Sequence, residues 1–326
     1  MHDIVTFGET MVRLTPPNFQ RLEQTHTFEV GVSGAELNTA TGLARLGMRT
    51  AWVSRLVDNP MGRMIANKAR EQNVDTSHIL WAKEGRVGLY YYEMGASTRA
   101  SQVIYDRANS AISQLKPGEI DWAPILQGAR AFHISGITPA LSASCAEASI
   151  EAVRAAKAAG CVVSLDINYR ARLWTKEAAR ACITGLLKDV TILFTTLDEA
   201  SQVLGLEGSA EQVAREIAAR WAVPVVAITL REAPSVLRNI WRSLALAEGK
   251  VYTGRTIDLE LIDRMGSGDS YDAGFLYGYL TGDLNKAVAH GDALAAIKHS
   301  VPGDYTWVTP AELKAQVENV QTKIQR

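Results

Sequence analysis

The chain has 326 residues, enough for one large domain with an attachment or for two domains. It is 47% hydrophobic and 21% charged with a net charge of −1, an ordinary globular balance that argues against nucleic acid or an anionic membrane as main partner. No apolar run reaches membrane-spanning length, the first residues lack the regions of a signal peptide, and Cys145, Cys161 and Cys182 form no C-x-x-C pair; the expectation is a cytoplasmic chain with reduced thiols.

In chain order, Asp3–Glu9 reads as a buried first strand ending near Gly8. Gly34–Gly47 has Leu37, Ala40, Leu43, Ala44 and Leu46 at helical spacing, with Gly47 as its C-cap. Arg49–Leu56 is a strand. Asn59-Pro60 then supplies an N-cap and a first-turn proline for a helix to about Asn73. Two stretches, Arg13–Val30 and Arg86–Ala111, are rich in β-formers and turn residues and predict antiparallel strands of a small accessory sheet. After Trp122, strands 129–136, 161–168, 190–194 and 223–230 alternate with helices at 142–160, 175–187, 198–204 and 210–221. That alternation predicts right-handed βαβ units and a mostly parallel sheet. Residues 244–254 read as a hairpin, and a last amphipathic helix starts near Pro310. Ligands of such sheets sit at the carboxyl ends of the strands, where Gly8, Ser135-Gly136, Asp166-Ile167-Asn168 and Thr229 fall.

One stretch carries chemistry. "DRMGSGDSYDAGF" (Asp263–Phe275) sets Gly266, Ser267 and Gly268 before Asp269 at the start of a helical pattern. Glycines at a helix N-terminus suit a phosphate, and an acid there would repel one unless it faced the attacking group. Phosphoryl transfer to an alcohol needs a phosphate cradle, a metal to offset charge and a base near the hydroxyl. Gly266–Gly268 are therefore read as an anion hole and Asp269 as the base; the bland alternative makes Asp269 an N-cap. There is no P-loop signature, no H-E-x-x-H, no G-x-S-x-G, and the last glycine of G-x-G-x-x-G is missing. His133, His290 and His299 fall within predicted elements and read as structural.

"DRMGSGD" resembles the D-x-x-G-A-G-D signature of the ribokinase-like (PfkB) carbohydrate kinases, with Ser267 for alanine. "GVSGAELNTATGLARLG" (Gly31–Gly47) resembles their G-G-x-x-x-N-x-A-x-x-L-A-x-L-G signature, with Ser33 for one glycine. "GLYYYE", "VIYDRANSA", "LDINYRARLW" and "KHSVPGD" are similar to the branch acting on 2-keto-3-deoxy sugar acids. The resemblance implies an α/β ribokinase-like fold, a mostly parallel doubly wound sheet flanked by helices, with residues 13–33 and 86–111 as a β-sheet lid over 1–12, 34–85 and 112–326. It implies ATP and Mg²⁺ as cofactors and phosphorylation of 2-keto-3-deoxygluconate to its 6-phosphate.

Carried over by position, Gly34, Ala35 and Asn38 would bind the sugar-acid hydroxyls, with Tyr90 and Tyr105 across from them. Arg107 would face the carboxylate, which prefers a bidentate guanidinium; its bland alternative is a surface pair with Asp106. Asn168 and Arg170 would lie between substrate and nucleotide phosphates, and Asp304 would touch the substrate or close the site. Two departures stand out. Thr196 replaces the asparagine of the family's N-x-x-E, with Glu199 kept to hold a magnesium water. The T-x-G-x-x-G nucleotide loop gives way to "LREAPSVLRNIW", leaving Thr229, Leu230 and Arg231 as nucleotide-side candidates beside Gly266 and Gly268. A kinase of fructose or ribose, and a non-catalytic sugar-acid sensor, are the alternatives. The lid's free edges and apolar face predict a homo-oligomer built through it.

Overall fold

The computed structural model describes residues 1–319. Its main sheet runs, from one edge, Lys250–Thr253, Arg238–Ala247, Val225–Ser235, Ile192–Thr196, Val162–Asp166, Ala131–Ser135, Ile4–Phe7, Thr50–Val57 and Val74–Asp75. From Val225–Ser235 to Val74–Asp75 every pairing is parallel, while the first three strands are joined as antiparallel hairpins. Strand Ile257–Glu260 extends the sheet beside Arg238–Ala247.

The strands are buried on both faces, and their residues divide between two cores by the two-residue period of a pleat. Val5, Phe7, Phe132, Ile134, Leu193, Val226 and Ile228 meet the helices Ala143–Ala158, Lys176–Leu187 and Ala210–Trp221. Their neighbours Ile4, Ala131, Ile192, Phe194, Val225 and Ala227 meet Ser267–Thr281 and Leu284–His299. Asn59 caps Pro60–Glu71 by accepting from the N–H groups of Met61 and Gly62. The expected hairpin at 244–254 forms around Glu248-Gly249, both at positive φ (51° and 76°), as a tight two-residue turn requires.

A separate four-stranded sheet runs Glu29–Ser33, Met11–Thr15, Leu89–Glu93, Gln102–Asp106. Its central pair, Met11–Thr15 with Leu89–Glu93, is parallel, not antiparallel as expected. The two strands leave the main body side by side, Val12 N–H donating to the Gly88 carbonyl, and so run the same way. Two other expectations shift. The helix expected over 198–204 is a short turn at Leu197–Glu199 followed by a π-helical turn to Leu204, closed by Gly205 at φ 71°. The strand expected to end at Leu230 continues to Ser235 and folds back, so "LREAPSVLRNIW" is an extended hairpin.

Candidate active site

A cleft of about 220 Å³ opens at the carboxyl ends of the central strands, between the main sheet and the small one. Its floor follows from the first glycine signature. A Cβ on Gly34 would lie 2.1 Å from the Glu9 carbonyl, so only glycine lets helix Ala35–Arg45 start against the first strand. That start buries Glu36, whose Oε1 accepts from Ser135 N–H, Ser135 Oγ and Thr138 Oγ1 at 3.0, 2.8 and 2.8 Å. Burial nonetheless pushes its carboxyl up to about 7. One turn on, Asn38 lines the cleft.

Gly266 has φ 77° and ψ 5°, and a Cβ there would lie 2.1 Å from the Asp304 carbonyl; both facts require glycine. It is the N-cap of Ser267–Thr281, whose first N–H groups have no acceptor within the helix. A Cβ on Gly268 would meet nothing within 4 Å, so its absence leaves open cleft beside those donors. Asp269 lies in the first turn rather than at the cap, and Asn38 Nδ2 donates to its Oδ2 at 2.6 Å. Enclosure in the cleft raises its carboxyl to about 6, against the lowering effects of the Asn38 hydrogen bond and Arg170.

Asn168, at the end of Val162–Asp166, holds φ 39°. Its backbone N–H and Nδ2 both donate to Asp166, at 3.2 and 2.8 Å, the local bonding that lets asparagine adopt this region. Thr196 and Glu199 form a capping box: Thr196 Oγ1 accepts from Glu199 N–H, and Glu199 Oε2 accepts from Thr196 N–H at 2.9 Å. Glu199 Oε1 also accepts from Tyr169 N–H at 3.0 Å. Threonine thus stands at the helix start as an asparagine would, and the carboxylate is locked in orientation. Asp166 and Asp272 lie nearby, both pushed well above the usual carboxylate range by burial, and among the described residues no hydrogen bond reaches Asp272 Oδ2, with His133 Nε2 4.0 Å away. Arg170, Arg231 and Arg264 line the same side.

The small sheet closes the other side with buried charge. Arg13 donates from Nη2 to Asp263 at 2.6 Å and from Nη1 to Asp304. Asp304 Oδ2 also accepts from Ser33 and from the Tyr90 hydroxyl, the latter at 2.9 Å. Arg107 donates from Nε and Nη2 to Glu9 Oε2, and its guanidinium lies 5.6 Å from the centre of the Tyr105 ring.

The cleft thus gathers Gly34, Ala35, Asn38, Tyr90, Tyr105, Arg107, Asn168, Arg170, Glu199, Thr229, Arg231, Gly266–Asp269 and Asp304. Leu230 is a correction. On a strand it points opposite to Thr229 and Arg231, and it packs against the helices of the far core. Arg107 is buried, and it pairs with Glu9 rather than Asp106, which takes Arg86. Sequence reasoning missed Glu9, Arg13, Glu36, Asp263, Arg264 and Asp272. Asp263, Arg264 and Asp272 stood inside or beside the quoted motif; Glu9 and Arg13 carried no local signal, because their partners lie 98 and 250 or more residues away. His133 and His299 are buried and hydrogen-bonded to Ser164 and the Ala295 carbonyl, as structural histidines are.

A strand-end cleft with a glycine-capped helix and an acid in its first turn is built for phosphoryl transfer to an alcohol. The chain belongs to the pfkB family of carbohydrate kinases, which it matches over residues 1–311. It is 35% identical to a 2-dehydro-3-deoxygalactonokinase of Haloferax volcanii, over 99% of both chains. It is 32% identical to a 5-dehydro-2-deoxygluconokinase of Shouchella clausii, over 97% of this chain and 95% of that one. The solved 2-dehydro-3-deoxygluconokinase of Thermotoga maritima superposes with a TM-score of 0.94 at 37% identity, covering 98% of this chain and 99% of that one. Carbohydrate kinases of this family use ATP, and no helix among the described residues is long and apolar enough to cross a membrane.

Proposed function

We propose that the cleft transfers the γ-phosphoryl group of ATP to the terminal hydroxyl of a 2-keto-3-deoxy sugar acid, 2-keto-3-deoxygluconate or its galacto epimer. The observation that carries this reading is the 2.6 Å contact between Asn38 and Asp269, which joins the sugar side of the cleft to the acid in the anion-binding turn. Asp269 takes the hydroxyl proton, and its raised pKa suits a base working near neutrality. The N–H groups of the first turn and the space left by Gly268 receive the phosphoryl group. Arg170, Arg231 and Arg264 face the nucleotide phosphates.

Asp166, Glu199 and Asp272 line the cleft with carboxylate oxygens, the donor type Mg²⁺ takes, although those oxygens do not converge on one point. They would hold the ion directly or through water, and it would offset phosphate charge. On the sugar side, Arg107 Nη1 makes no hydrogen bond among the described residues while Glu9 fixes the guanidinium plane, a disposition suited to a carboxylate. The similarly named relatives, all kinases of keto-deoxy sugar acids, support that substrate class. Phe28, Val30 and Ile104 are exposed on the small sheet, and we assign that face, as a lid, to pairing with a second copy. The free thiols of Cys145, Cys161 and Cys182 fit a reducing cytoplasm.

A coupled ADP-release assay with 2-keto-3-deoxygluconate, its galacto epimer, 5-keto-2-deoxygluconate, fructose and ribose tests the reading. The 2-keto-3-deoxy acids should give the highest kcat/KM. Turnover of a neutral sugar with none of the acids would overturn the substrate class, and no ADP release with any of them would overturn the activity.

A further inference from the structure

Lys298 is the only lysine among the described residues that is buried, and it is fully so. It ends helix Leu284–His299 directly beneath the site. Its Nζ donates to two backbone carbonyls, Val301 at 2.8 Å and Asp263 at 3.3 Å. Those carbonyls begin the two loops that matter most. Asp263 opens the turn to Gly266–Asp269, and Val301 opens the turn to Asp304. The loops touch above the lysine, where Gly266 is packed against the Asp304 carbonyl. A second set of ties runs through the Asp263 carboxylate, which accepts from Arg13, Met265 N–H and Gly303 N–H at 2.6, 3.0 and 3.0 Å.

Enclosing an ammonium is costly unless its hydrogen bonds are replaced, and an apolar side chain of similar volume fills such a space without that cost. Filling space therefore does not account for a charge here. Holding two carbonyls at once does, because an ammonium carries several donors on one small atom.

We propose that Lys298 is a positioning residue for phosphoryl transfer: its ammonium clamps the Asp263 and Val301 carbonyls and so sets the spacing between the anion-binding turn and the Asp304 loop. The proposal rests on the reading that Gly266–Gly268 receive the transferred group. Lys298 touches no ligand, and its effect passes wholly through the two loops.

The test uses Lys298→Met, which keeps bulk and removes charge, and Lys298→Ala, which removes Cγ through Nζ and leaves a space that a small ammonium ion can enter. A misplacement of about 1 Å costs on the order of a hundredfold in rate, so Lys298→Met should lose about ten- to a hundredfold in kcat. The sugar-acid KM should stay within about threefold, since Gly34, Asn38 and Tyr105 are untouched. In Lys298→Ala, ammonium chloride at constant ionic strength should restore kcat in a saturable way, whereas tetramethylammonium, which has no N–H to donate to the two carbonyls, should not. The proposal is overturned if Lys298→Met keeps the parent kcat, if ammonium has no effect on Lys298→Ala, or if both variants are unfolded, which makes Lys298 a stability residue only. Asp269→Asn, measured alongside, keeps the two claims apart: full activity there sinks the reading of the site itself, whatever Lys298 does.

Discussion

The two walls of the cleft are made in different ways. The wall from the main sheet presents backbone: a glycine-capped helix start, Gly34 against the Glu9 carbonyl, and a strand end closed by Asn168. The wall from the small sheet presents side chains, held by two buried ionic sets, Arg13 with Asp263 and Asp304, and Arg107 with Glu9. Backbone donors suit a phosphoryl group, which every substrate pair shares, because they are fixed by the fold and need no particular partner. Side chains suit the sugar acid, whose hydroxyls and carboxylate must be told from those of other sugars. On the proposed reading the phosphoryl donors and most of the sugar-selecting side chains lie on different elements, with Gly34 and Asn38 of the main wall also on the sugar side, so each function can be disturbed largely apart from the other.

The largest effect should come from the phosphate wall. Asp269→Asn keeps shape and loses the proton acceptor, so kcat should fall by about 10²- to 10⁴-fold with sugar binding retained. Steady-state kinetics with both substrates checks this, and a kcat within about tenfold of the parent would remove Asp269 from the role.

Arg13→Met attacks the junction of the two walls. It leaves Asp263 and Asp304 buried without their guanidinium. Breaking a buried pair costs about 3–5 kcal/mol, which denaturant unfolding should read as a lowered midpoint. An unchanged midpoint would mean that the Met265 and Gly303 N–H groups on Asp263, and the Ser33 and Tyr90 hydroxyls on Asp304, suffice to hold the two carboxylates.

Arg107→Ala tests the sugar wall alone. A charge-assisted hydrogen bond contributes roughly 1.5–3 kcal/mol, so the sugar-acid KM should rise about ten- to a hundredfold while the ATP KM holds. Arg107→Lys should recover only part, because a point charge cannot form the planar fork. Equal losses for acidic and neutral sugars would show that Arg107 merely anchors the small sheet through Glu9.

A pH profile separates the walls again. The Asp269 carboxyl is raised to about 6 by burial, and only its ionised form accepts a proton. Activity should therefore be full above that value and fall as pH drops through it, by about tenfold per unit in kcat/KM. An acid limb unchanged in Asp269→Asn would assign the titration elsewhere.

The smallest effect on chemistry should come from the outer face of the small sheet. Val30→Asp with Ile104→Lys should lower the oligomer size by light scattering while leaving kcat within about threefold. Unchanged mass would show that this face is not the contact between copies.

Much of the fold was legible because its signals are local. The switch from two-residue to helical periodicity marks most strands and helices, and Asn59-Pro60 marks a helix start. The small sheet was legible as β structure, but not its parallel central pair, since which strands meet depends on where both leave the main body. The hairpin at 225–247 was hidden for a related reason: nothing in "LREAPSVLRNIW" resembles the loop it replaces, and only pairing shows it to be strand. Once that strand is seen, Leu230 leaves the site by alternation alone.

The sequence by itself determined the backbone wall. Gly34, Asn38, Gly266, Gly268 and Asp269 stand in two short motifs, because a helix start and a tight turn are specified by residues a few positions apart. The tertiary structure alone decided the other wall. Arg13 meets Asp263 across 250 positions and Arg107 meets Glu9 across 98, and the sequence offers each arginine closer acids. Buried ions take the partner that the packing brings within hydrogen-bond reach in a low-dielectric setting, whatever their separation along the chain.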